Sequence, residues 1–66
     1  MANKLKEMRF RRMMTMSELS RRSGISRTTI WNIETNPKKA VTSGTMIALA
    51  KALDMAVNDI FFADTV

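Results

Sequence analysis

Between Met16 and Glu34 the apolar positions are Leu19, Ile25, Ile30 and Ile33, set in an otherwise polar stretch, MSELSRRSGISRTTIWNIE. At 3.6 residues per turn Ile30 and Ile33 fall on one face of a helix and leave the opposite face polar. Thr15 is placed to cap a helix that begins after it, with Glu18 three residues on completing a capping box. That helix turns Leu19 inward, with small Ser20 beside it, and sends Arg21 and Arg22 out or along a rim. Gly24 fits the left-handed residue that ends this helix, because it has no Cβ to clash. Ser26 then caps a second helix over Arg27 to Glu34. The stretch therefore predicts two short helices joined by a tight turn, with the rest of the chain as their support.

The flanks carry the same helical spacing. Asn3 caps a first helix running from Lys4 to about Met13, with Leu5, Met8 and the aliphatic stem of Arg12 on its inward face. Phe10 lies off that stripe, as a flank contact or a partly exposed ring, and Arg9 tilts toward the interior, where it needs an anionic partner. Thr35 to Val41 is a loop, because Asn36 tolerates the left-handed conformation and Pro37 blocks a helix. Thr42 or Ser43 caps a fourth helix whose inward stripe is Met46, Ile47, Leu49, Ala50 and Leu53, and Asp54 ends it. A last short helix covers about Val57 to Phe62, with Ile60 and either Phe61 or Phe62 turned inward. The other phenylalanine joins Met55, Val57 or Val66 in an apolar patch suited to self-association.

Composition narrows the function. Sixty-six residues make one small domain, and with no cysteine and no histidine the chain lacks thiol chemistry and the usual zinc ligands. Six scattered carboxylates offer no activated nucleophile or acid–base pair, so no enzyme, metal or cofactor is expected. No apolar run approaches the roughly 20 residues of a membrane span, and the opening MANKLKEMRFRR lacks the apolar core of a signal peptide, so the expected location is cytoplasmic. The seven methionines suit core packing, except Met16, which opens a helix where water should reach it.

Charge points to a partner. The net charge is +5, and all of that excess lies between Met1 and Glu34, where eight basic residues face three acidic ones. From Thr35 onward three lysines are matched by three aspartates. A basic half built on a helix pair attracts a polyanion, most often nucleic acid, although a basic face also serves solubility alone. The polar face of the third helix adds detail. Arg27 can donate a fork to guanine, Asn32 can pair with adenine, and Thr28 and Thr29 offer a hydroxyl and a methyl. Trp31 either calls for a partner on that face or folds over its own helix at the core edge. Lys38 and Lys39 either reach a phosphate or are simply solvated.

The helix, turn and helix over 16–34 is the helix-turn-helix unit, and its surroundings are specific. Met8-Arg9, Met14-Thr15, Glu18-Leu19-Ser20, Gly24-Ile25-Ser26-Arg27, Ile30, Ile33-Glu34, Leu49-Ala50-Lys51-Ala52-Leu53 and Asp59-Ile60-Phe61 occur in order. In that order and spacing the chain resembles the phage Cro and repressor-type (XRE-like) DNA-binding domain from about Leu5 to Phe61. The resemblance implies an all-α, compact five-helix, lambda-repressor-like fold occupying 1–66 as a single domain. It also implies a third helix that enters the major groove of an operator.

By that resemblance Arg27, Thr28, Thr29 and Asn32 make base or groove contacts with Trp31 beside them; Ser26, Trp31, Arg21, Arg12, Lys38 and Lys39 are the residues expected at the DNA backbone or groove edge. Arg9 pairs with Glu34. The expected activity is a homodimeric transcriptional repressor on double-stranded DNA, with Met55, Val57, Phe61 and Phe62 as the dimer seam. The alternative is an antitoxin-like or adaptor module that binds a protein through Trp31 or Phe62. The chain also departs from the pattern. Met16 stands where a phosphate-binding glutamine is common, Ser20 where alanine is usual, and Met13 and Asp54 where glycines turn the chain. Arg11, Arg12, Arg21 or the backbone N–H groups at a helix start are left to replace the missing clamp.

Overall fold

The computed structural model describes residues 3–36 and 40–61. They form five helices in an all-α domain: α1 (Leu5–Arg11), α2 (Met16–Ser23), α3 (Arg27–Thr35), α4 (Ser43–Leu53) and α5 (Val57–Phe61). Pro37, Lys38, Lys39, Phe62 and Val66 lie outside the described residues, and with them the expectations placed on the two lysines and on Phe62 and Val66.

Four of the five described helices, α1 to α4, begin where a side chain takes up a free backbone N–H. The hydroxyls of Thr15, Ser26 and Thr42 accept from the amides of Glu18, Thr29 and Thr45 at 3.1, 3.2 and 3.3 Å. Asn3 does the same for α1, accepting from Leu5 N–H at 3.0 Å, while its amide donates to the Ile33 carbonyl of α3. The capping box at Thr15 is only half formed, because the Glu18 carboxylate turns away to Arg21 and Arg22.

Three chain reversals use a left-handed residue: Gly24 at φ 76°, Met13 at φ 57° and Asp54 at φ 56°. The last two are the positions where the resemblance expects glycine, and the backbone keeps the glycine conformation with a side chain in place. Asn36 is not left-handed: it follows α3 at φ −128° and ψ 77°.

The core draws on all five helices: Leu5, Met8, Leu19, Ile30, Ile33, Leu49, Ala50, Leu53, Ile60 and Phe61. α2 packs on α3 and α4, α1 on α3 and α5, and α5 on α4. Several expectations change here. α1 stops at Arg11, two residues before Met13, and the exposed Arg12 carries its guanidinium outward to the Asp54 carbonyl at 3.2 Å. Ile47 is 49% exposed and Met13 93% exposed, so neither is a core residue, whereas Met16 is half-buried against the core. Phe61 is fixed inside the domain, which removes it from the expected dimer seam; Met55 and Val57 stay half-buried at the edge.

No helix among the described residues is long and apolar enough to cross a membrane.

Candidate nucleic-acid interface

α3 has two faces with opposite chemistry. Its inner ridge, Ile30 and Ile33, is closed to solvent, and Glu34 continues it with a side chain only 1% exposed. That buried carboxylate meets Arg9 of α1 in a two-pronged pair, Nε to Oε2 at 2.7 Å and Nη2 to Oε1 at 3.0 Å. The remaining Nη1 donates to the Met14 carbonyl at 2.8 Å, at the turn between α1 and α2. One guanidinium thus ties α1, the entry to α2 and the end of α3 together. Its planar fork matches a carboxylate in a way lysine cannot.

The outer face is built from two ridges at four-residue spacing, Arg27 with Trp31 and Thr28 with Asn32. Arg27, Thr28 and Trp31 are exposed, the indole at 53%, and Asn32 is half-buried. Trp31 therefore stands out from the helix and does not close the core edge. Arg27 Nη1 donates to Ser17 Oγ of α2 at 3.2 Å. The bond holds the guanidinium beside the start of α2 while leaving other donors of its fork unused by that contact.

Thr29 belongs to a third ridge, with Ile33, and faces the start of α4. It is half-buried, its hydroxyl accepts from Ser26 Oγ at 2.9 Å, and it lines a small cavity with Val41, Thr42 and Thr45. The structure thus separates Thr29 from the Arg27, Thr28 and Trp31 surface. Ser26, likewise engaged in the helix cap, is exposed at the leading end of α3.

The peripheral cations sit in other surroundings. Arg21 and Arg22 both hold Glu18, at 2.5 and 2.6 Å. The hydrogen bond from Arg22, with the charges of both arginines, keeps the Glu18 carboxyl below the ordinary glutamate range. Arg12 lines a cleft of about 750 Å³ between α1, α4 and α5, together with Lys4, Arg11, Lys51, Asp54 and Asp59. That cleft shares no lining residue with the exposed face of α3.

An open groove of about 400 Å³ runs between the first turn of α2 and the outer face of α3, lined by Thr15, Met16, Ser17, Arg27, Thr28 and Trp31. Ser17 carries no signal in the sequence, because nothing along the chain pairs it with a residue ten positions away until the angle between α2 and α3 is known. Met16, expected at a solvated helix start and as a lost phosphate clamp, forms one wall of this groove.

A comparison with curated proteins gives no match. A comparison with protein-family models matches residues 4–64 to the Cro/C1-type HTH DNA-binding domain. That span contains all five helices, the buried Arg9–Glu34 pair and the exposed ridges of α3. The chain belongs to the Cro/C1-type helix-turn-helix family and is a DNA-binding domain.

Proposed function

We propose that this domain is a transcriptional repressor that binds an inverted-repeat operator in double-stranded DNA as a homodimer, with α3 in the major groove of each half-site. The observation that carries the reading is the division of α3: one face is locked into the core and pinned by Glu34, and the other stands free with Arg27, Thr28 and Trp31. Arg27 takes the guanine fork, Asn32 an adenine edge, and Thr28 a base edge or methyl. Ser26 and the backbone N–H groups at the starts of α2 and α3 face the phosphates, a role that Met16 cannot fill by hydrogen bonding.

Dimerisation follows from the energetics of a small module. A single domain of this kind covers only about 600–1,000 Å² of DNA-facing surface, so tight specific binding calls for two half-sites. Met55, in the turn between α4 and α5, and Val57, at the start of α5, both half-buried, are the seam in this reading.

Selection of bound duplexes from a random pool tests it. The expected outcome is a motif of two inverted half-sites with centres about one helical turn apart, and affinity that falls linearly on a log–log plot against salt. An asymmetric motif overturns the dimer. Binding to every duplex alike overturns sequence recognition. The finding that the domain instead holds a protein partner through Trp31, with little response to salt, replaces the reading by the adaptor alternative.

A further inference from the structure

The groove between α2 and α3 combines features that a phosphate clamp does not need. Met16 presents a thioether where hydrogen-bonding chemistry is expected. Trp31 leaves 53% of its surface in solvent, on the same side as Arg27 and Thr28. Two large apolar side chains, Met16 at the edge of the core and the exposed Trp31, thus line one opening between α2 and α3, beside an arginine that α2 holds in place through Ser17. Water covers such a surface poorly, and a nucleic-acid partner offers one apolar group in the major groove, the C5-methyl of thymine. We infer that Met16, Trp31 and the methyl of Thr28 form a thymine-methyl site, which makes Met16 and Trp31 specificity-determining residues.

This inference rests on the DNA-reading role proposed for α3. The occupant follows from continuity with that surface: the groove is lined by the same Arg27 and Thr28 that face the bases in that role. It also fixes an arrangement in the half-site. Arg27 and the apolar walls border one opening, so a guanine read by Arg27 and the thymine lie within one or two base pairs of each other.

The test uses the full chain and the duplex recovered by selection, with each thymine replaced in turn by uracil, which removes only the methyl. One thymine per half-site is expected to respond, with affinity falling about fourfold, the loss corresponding to one buried carbon group. In Trp31→Ala, whose site of change is mostly solvent-exposed, the same replacement should have no effect; in Met16→Gln it should have less than in the parent. Unchanged affinity for every uracil duplex, with tight sequence-specific binding retained, overturns the thymine-methyl site and leaves the DNA-reading role of α3 intact. An equal uracil penalty in the parent and in both variants also overturns it, because the methyl is then read elsewhere. Failure to select any duplex overturns the DNA-reading role itself, and the inference with it.

Discussion

The two faces of α3 use polar chemistry in opposite ways. On the inner face Glu34 is removed from water and its cost is offset by a fully directed partner: the Arg9 guanidinium supplies two donors to the carboxylate and a third to a backbone carbonyl. On the outer face Arg27 makes one hydrogen bond among the described residues, to a serine hydroxyl, and remains exposed. The same residue type is a structural rivet in one place and an exposed guanidinium with free donors in the other. Burial and the number of partners separate the two, and charge does not. The role proposed for α3 needs both, because a reading face is useful only if its own position is fixed.

The largest expected effect breaks the inner face. Arg9→Met leaves the Glu34 carboxylate buried without its partner and should lower the unfolding free energy by about 3–5 kcal/mol, measured by urea denaturation. In a domain of this size that is a large part of the total stability. A cost under 1 kcal/mol would mean that the pair behaves as a surface bridge. On the outer face Arg27→Ala should leave stability nearly unchanged and weaken binding to the selected duplex by about 1–3 kcal/mol, with relaxed preference at one base position. Ranked together, the two substitutions sharpen the contrast: one is read in denaturation, the other in a binding titration.

Backbone geometry gives the next effects. Gly24 holds φ 76° with open space around a hypothetical Cβ, so Gly24→Ala should cost about 1–2 kcal/mol through backbone strain alone. Met13 sits at φ 57° with its side chain 93% exposed, so Met13→Gly should stabilise the fold, by up to about 1 kcal/mol. Opposite signs for the two substitutions in thermal melts check the account. The smallest effect concerns Glu18. Its folded pKa is depressed by Arg22 and Arg21, so its contribution is present above the ordinary glutamate value of 4.5 and is lost as pH falls through the lower folded value. The difference in melting temperature between the parent and Glu18→Gln should therefore be greatest near neutral pH and shrink in acid.

Much of the fold is legible along the chain because its signals are local. Thr15, Ser26 and Thr42 announce helix starts, Gly24 announces a stop, and the spacing of Leu19, Ile30, Ile33, Leu49 and Leu53 gives the buried faces. Ile47 misleads because it is apolar but occupies the outer side of α4, and spacing by one turn from a broad stripe does not fix which edge the neighbours cover. Helical spacing turns the stem of Arg12 inward, yet α1 has already ended and the chain turns through Met13, which redirects it to Asp54. The outer ridges Arg27–Trp31 and Thr28–Asn32 follow from helical spacing alone. The diversion of Thr29 toward α4, and the bond between Arg27 and Ser17, depend on angles between helices that no local pattern encodes.

Whether the outer face of α3 is the surface that meets DNA is tested most directly by titrating isotope-labelled protein with the selected duplex and following amide and side-chain NMR shifts. The result expected is that Arg27, Thr28, Trp31 and Asn32 move together with the first turn of α2, while Leu5 and Ile60 stay in place. Shifts centred instead on Lys4, Arg11 and Lys51, in the cleft between α1, α4 and α5, would contradict it.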